Sequence, residues 1–258
     1  TGFCFVNIKE KYMRYNELTF QGRNAVLEAF RSGKTIDKLF ILDGCQDGPI
    51  KSIVREAKKT DAIINYVDKE RLDRLAGTGH HQGVVAIGAA YEYAEVEDIL
   101  AAAKEKGEDP FIFILDEIED PHNLGAIIRT ANLAGAHGVI IPKRRAVGLT
   151  ATVAKTSAGA INYTPVAKVT NISQTIEELK KQGLWFVCAD MGGETMYNLN
   201  LKGPIGLVIG NEGNGVSRLV KDKCDFIASI PMKGDIDSLN ASVAAGVLAY
   251  EIVRQRLN

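Results

Sequence analysis

Apolar residues recur along this chain in two rhythms. In one they fall three and four positions apart, the spacing that gathers them on one face of a helix; in the other they run together for four to six residues, as in strands buried on both sides. The first rhythm predicts helices over 22–31 (GRNAVLEAFR), 50–58, 69–76, 124–134, about 150–157, 172–182, 216–223 and 240–255. The second predicts strands over 38–42 (KLFIL), 63–67, 84–89 (VVAIGA), 111–115 (FIFIL), 138–141, 184–189, 206–209 and 226–230. Strand and helix alternate throughout, which predicts an α/β fold. The short, wholly apolar strands of the second part predict a parallel sheet covered on both faces. Between the two parts, Glu95, Glu97, Asp98, Glu105, Glu108 and Asp109 face only Lys104 and Lys106. That composition reads as a short acidic linker over 94–106, partly helical across 96–103, joining a domain at 14–93 to one at 107–258.

Composition narrows the function classes without choosing one. The chain has 258 residues, with 31 Lys and Arg against 32 Asp and Glu. A net charge near zero advertises no nucleic-acid partner, although a local patch would suffice for one. Cys4, Cys45, Cys188 and Cys224 make no CxxC pair and have no histidine cluster beside them, so they read as reduced thiols of a cytoplasmic protein with no metal site. No apolar run approaches the roughly 20 residues that span a bilayer, and Phe3–Val6 is too short for a signal-peptide core. Residues 1–12 read as unlike the start of a compact domain, with Met13 a candidate natural start.

Ligands of parallel α/β sheets bind at the carboxyl ends of strands, and three such ends carry unusual polar residues. The first is Asp116–Gly125 (DEIEDPHNLG), with Arg129 further along its helix; the second is Gly210–Gly215 (GNEGNG); the third is 231–240 (PMKGDIDSLN). Each has a plain structural account. Pro121 and Asn123 suit a helix start, Ser238 or Asn240 suits a cap, and the glycines suit a tight connection. The second loop reads G-x-x-G-x-G, which is not the dinucleotide fingerprint G-x-G-x-x-G. Likewise His80 and His81 read as a polar turn before a strand.

Taken together and in this order, the three loops resemble the three motifs of the SpoU/TrmH family of the SPOUT methyltransferase superfamily. Asn123, Gly125 and Arg129 match the first motif; Gly210, Glu212 and Gly215 match the second. Ile230, Pro231, Met232, Gly234, Ser238, Leu239, Asn240 and Ser242 match the third. Residues 22–29 and 81–86 resemble the substrate-binding domain of ribosomal-RNA members, which is similar to the ribosomal protein L30e fold. The resemblance implies a SPOUT-type parallel sheet with a deep trefoil knot over roughly 205–240, preceded by the small L30e-like α/β domain. It implies S-adenosylmethionine as cofactor, bound through Gly210, Ile230 and Leu239, with Ala189 at the preceding strand end. It also implies methylation of a ribose 2′-hydroxyl, of a guanosine in 23S ribosomal RNA, by a homodimer built through the catalytic domain. Arg129 would activate and orient the hydroxyl, Asn123 would position Arg129, and Glu212, Asn240 and Ser238 would order the loops and the nucleotide. Transfer RNA is the alternative substrate, and a non-catalytic RNA-binding protein is the alternative from another class.

Overall fold

The computed structural model describes residues 19–60, 62–77, 80–236 and 238–257. The readings made for 1–12, Met13 and Cys4 lie outside these residues. The chain divides into two compact units: the described residues up to Glu92 with 148–151, and Tyr93–Val147 with the described residues from Thr152 onwards.

The first unit is built on a four-stranded sheet of β1 (Thr19–Gln21), β2 (Ile36–Leu42), β3 (Ile63–Val67) and β4 (Val84–Gly88), in the order β1-β4-β2-β3. β2 and β3 are parallel, while β4 runs antiparallel to both β1 and β2. Helices α1 (Arg23–Arg31) and α2 (Gly48–Lys59) bring Val26, Phe30, Ile50 and Ile53 onto Leu39 and Ile41. Leu72 of α3 (Lys69–Ala76) joins Phe40 and Val85 in a second cluster. Asp47 and Asp68 cap α2 and α3 by accepting from the amides of Ile50 and Arg71, which satisfies backbone donors that each first turn leaves unpaired. His81 is buried between the Asp73 carboxylate and the Gly83 amide, a structural position.

The second unit carries six parallel strands, β5 (Phe111–Leu115), β6 (Gly138–Pro142), β7 (Val166–Val169), β8 (Trp185–Thr195), β9 (Ile205–Ile209) and β10 (Phe226–Ser229), ordered β10-β8-β9-β5-β6-β7. Its helices are α4 (Val96–Lys106), α5 (Pro121–Leu133), α6 (Ala151–Thr156), α7 (Ile172–Lys181), α8 (Arg218–Lys221) and α9 (Ala241–Arg256). α4 and α7 set Ile99, Ile172, Ile176 and Leu179 into one core with Ile112, Ile140, Phe186 and Val208. α9 packs on α5 and on β9.

The segment expected to be a linker is therefore corrected. α4 is a packed element: Ile99 and Ala103 are fully buried, and Ile99 occupies the space above Gly138 that a β-carbon there would need. Its acidic surface is simply the solvent face of an amphipathic helix, which a count of charges mistakes for a spacer. Three further differences are local. β1 and β7 are too short to show periodicity of their own. β8 continues past Ala189 through the polar stretch Asp190–Thr195. α8 is confined to 218–221; Ser217 precedes it, and the Ser217 amide donates to the buried carboxylate of Asp116 at 2.8 Å.

At the amino edge of the sheet, Arg256 donates to the carbonyls of Asp109 (3.1 Å), Pro110 (3.0 Å) and Gly203 (2.5 Å) and lies over the Phe111 ring. Beside it, buried His137 accepts from the Phe111 amide at 3.0 Å through Nδ1, which leaves Nε2 to donate to Glu108.

Candidate functional site

The opposite, carboxyl edge gathers the polar loops. α5 begins at Asp120, whose carboxylate accepts from the His122 amide, with Pro121 in the first turn where no N–H is needed. Asn123 is thus released from capping. It is buried, and its Nδ2 donates to Glu212 Oε1 at 2.7 Å. Asn240, not Ser238, caps α9: its Oδ1 accepts from the Ser242 amide (2.9 Å) and hydroxyl (2.6 Å). The Asn240 Nδ2 donates both to Asn123 Oδ1, at 3.1 Å, and to the same Glu212 oxygen. Two amides and one carboxylate, from three segments distant in sequence, close a triangle.

The Gly210–Gly215 loop explains its glycines. A β-carbon on Gly210 would stand 2.1 Å from the Gly215 carbonyl carbon and 2.2 Å from the Val216 nitrogen. The loop doubles back on itself there, with Asn211 and Gly215 exchanging both backbone hydrogen bonds. The Asn211 side chain ties it to the Glu117 carbonyl at 3.0 Å.

Beside this loop a cavity of about 350 Å³ opens at the ends of β8, β9 and β10. All four residues expected to hold a cofactor line it, namely Gly210, Ile230, Leu239 and Ala189, together with Glu212 and Ser238. Asn123 and Asn240 stand behind its wall through Glu212. Arg129 is not brought to the cavity; it lies exposed on α5, six residues beyond Asn123. The motif reading passed over a charged wall residue. Asp190 faces the cavity and is gripped by Lys221 and by the Gly192 amide (3.0 Å). Burial works to raise its carboxyl, but the Lys221 bond and the amide together outweigh that and hold it below the ordinary carboxylate value. Its place directly after the apolar run expected as a strand over 184–189 was the signal available in the sequence, although the strand itself runs on past it.

Two family models match the chain. Residues 110–250 match the SpoU rRNA Methylase family, and residues 21–94 match the model for RNA 2′-O ribose methyltransferase substrate binding. The chain belongs to the SpoU rRNA methylase family. This member is 53% identical over 236 residues, 91% of the chain and 94% of the relative, to YacO of Bacillus subtilis, which is assigned to the TrmH family of tRNA/rRNA methyltransferases. A Staphylococcus haemolyticus protein assigned to the same family is 49% identical over 241 residues, covering 93% and 96%. Among solved structures, the AdoMet-bound rRNA methyltransferase of Sinorhizobium meliloti shares the fold at a TM-score of 0.59 and 22% identity, covering all of this chain and 98% of that one. The SpoU methyltransferase AviRb of Streptomyces viridochromogenes, in complex with AdoMet, superimposes at 0.59 with 23% identity over 96% and 98%. The α/β fold with its parallel sheet is thus that of an RNA methyltransferase family.

Proposed function

We propose that this protein transfers a methyl group from S-adenosylmethionine to a ribose 2′-hydroxyl of RNA, a guanosine of 23S ribosomal RNA being the favoured acceptor. The observation that carries the reading is the cavity walled by Gly210, Ile230 and Leu239 directly beside the Asn123–Glu212–Asn240 triangle. The cofactor fits the residues present. The cavity lies at the lower end of the usual ligand range of about 300–1,000 Å³, its walls supply an apolar slot for a purine, and the Gly210–Gly215 loop, folded tightly on itself where Gly210 lacks a β-carbon, lays its backbone along the wall. Asp190 and Glu212 put two carboxylates on the wall of a site meant for a cationic ligand.

When bound, the cofactor supplies a sulfonium-activated methyl group, so the protein's task lies with the acceptor. Gly210, Ile230, Leu239 and Ala189 hold the donor. The triangle fixes the Glu212 loop and the start of α9 relative to α5, and Ser238 faces the space where the nucleotide would enter. Arg129 is assigned to the incoming ribose. A guanidinium keeps its proton, so it stabilises the developing alkoxide or grips the adjoining phosphate instead of acting as a base. The role expected for Asn123 is corrected: its side chain is taken up by Glu212 and Asn240, so it orders the loop beside the cavity and makes no side-chain contact with Arg129 further along α5. The same reading carries the trefoil knot over roughly 205–240, and residues 21–94 as the L30e-like domain that selects the RNA. It also carries a homodimer formed through exposed Leu133 of α5 and Tyr250 and Val243 of α9. A cytoplasmic location follows from the substrate. Among the described residues no helix is long and apolar enough to cross a membrane.

The test incubates the protein with radiolabelled S-adenosylmethionine and, separately, ribosomal and transfer RNA from cells lacking the gene. A 2′-O-methyl group blocks alkaline cleavage of the next phosphodiester, so label should appear in alkali-resistant dinucleotides of the large-subunit RNA. Label confined to transfer RNA would move the substrate, and label in alkali-labile mononucleotides would refute ribose methylation.

A further inference from the structure

The carboxyl edge of the parallel sheet carries a second group of charges that the methyl-transfer site does not use. Lys143, Arg144 and Arg145 follow directly on β6. Their loop is pinned at both ends, by the Lys143 amide donating to the Val169 carbonyl (2.8 Å) and the Val147 amide donating to the Ile118 carbonyl (3.0 Å). At the bend Arg145 adopts a φ of +55°, and its ion-pair partner Glu117 adopts +60°. Both are left-handed conformations that residues with a β-carbon rarely hold, and they persist only where the surroundings impose them. Arg145 Nη1 reaches Glu117 Oε1 at 2.9 Å, yet the Arg145 side chain stays 77% exposed. Arg144 is exposed and, among the described residues, has no hydrogen-bond partner. The acids of the neighbouring loop are mostly committed: Asp116 to the Ser217 amide, Asp120 to the His122 amide and Glu117 to Arg145, which leaves Glu119.

We propose that Arg144 and Arg145 form a clamp for phosphodiester oxygens of the substrate RNA, with Glu117 holding Arg145 in its bent conformation until a phosphate takes the carboxylate's place. The inference rests on the RNA-methyltransferase reading and names the part of the protein that grips the substrate backbone. Two adjacent guanidiniums, one of them held by Glu117, suit phosphate because each offers a planar fork of donors, and a loop pinned at both ends loses little backbone freedom on binding. Location agrees. β6 lies beside β5 and two places from β9, so its end stands on the order of 10 Å from the end that carries Gly210. A nucleic-acid strand covers that in about two or three nucleotides, so the clamp grips residues flanking the methylated one.

The experiment compares the wild type with Arg144→Gln, with Arg144→Gln/Arg145→Gln, and with a charge-matched control, Lys104→Gln/Lys106→Gln, in the last turn of α4 near the amino edge. The probe is a 23S ribosomal RNA transcript, with affinity measured across a salt series beside calorimetric cofactor binding and single-turnover methylation. The double variant should bind the RNA about tenfold more weakly, and its plot of log affinity against log salt should flatten by between about 1 and 2. The single variant should show roughly half the flattening, which keeps the test decisive if the double variant folds poorly. Cofactor affinity and the rate at saturating RNA should hold. Unchanged affinity and slope, or an equal loss in the control, would overturn the clamp and leave the loop as an ordinary solvated surface or a site for an acidic protein. A wild type that binds the RNA through these arginines without methylating it sinks the enzymatic reading alone. A wild type that methylates while the variants bind normally sinks the clamp alone.

Discussion

Asn123 and Asn240 use the same side chain for different ends. Asn123 spends its donor on Glu212 and its acceptor on Asn240, wholly within the triangle; Asn240 gives its donors to the triangle and its acceptor to the first turn of α9. This division separates the cap from the triangle. Asn240→Asp keeps a capping oxygen, but it removes both donors to the triangle and sets a second carboxylate against Glu212, so it should lower the melting temperature through the triangle alone and cut methyl transfer severely. Asn240→Ala loses the cap as well, at a cost of about 1 kcal/mol. Thermal unfolding beside single-turnover methylation distinguishes the two, and equal activity of both with wild type would dismiss the triangle. Arg129→Ala should lower turnover by roughly a hundredfold or more with cofactor affinity preserved. Stability should move by no more than about 0.5 kcal/mol, because Arg129 is exposed on its helix. The identities of these residues were readable from motif spacing, but their partnership was not. A line of sequence does not show that Asp120 takes over the cap of α5 and so turns Asn123 inward.

Among the elements, legibility followed length and self-sufficiency. Strands 63–67 and 111–115 and helix 69–76 are found residue for residue, since an unbroken apolar run, or a capped amphipathic turn, declares its own limits. β1 and β7 exist only because a neighbouring strand pairs with them, and the polar end of β8 only because β10 lies alongside. α4 was legible as a helix but not as part of the core, because its composition spoke louder than its two buried positions. Ile99→Ala should therefore destabilise the second unit by about 2–5 kcal/mol in denaturant unfolding, the usual cost of a cavity in a packed core. Tolerance of that change would restore the linker. Gly125 marks a second contact between elements. A β-carbon there would lie 1.9 Å from Thr156 Oγ1 and 2.9 Å from the Val153 carbonyl, so α5 and α6 approach too closely for any side chain. Gly125→Ala should cost about 1–3 kcal/mol through forced separation of the two helices.

For the molecule as a whole, His137 couples the sheet to pH. Burial, reinforced by nearby Lys106, holds its pKa below the ordinary 6.5 despite Glu108, and a proton on Nδ1 would displace the Phe111 amide. The unfolded chain therefore takes up this proton at higher pH than the folded one. Its contribution to stability is complete above about 6.5 and declines as pH falls below that value. The melting temperature should drop between pH 7 and 5.5, above the range where the paired carboxylates titrate, and the drop should shrink in His137→Gln. A fragment of residues 93–258, which keeps α4, should bind cofactor as the whole chain does but bind RNA far more weakly. Equal RNA affinity of the two would remove the substrate-selecting role from the first unit. The triangle also has a bearing on biosynthesis. Its three bonds join residues 28, 89 and 117 apart in the chain, so a growing polypeptide can bury β5, β6 and β9 while its binding site still lacks a wall. Until Asn240 has been made and α9 has coiled behind it, Asn123 and Glu212 lack the amide that closes the triangle.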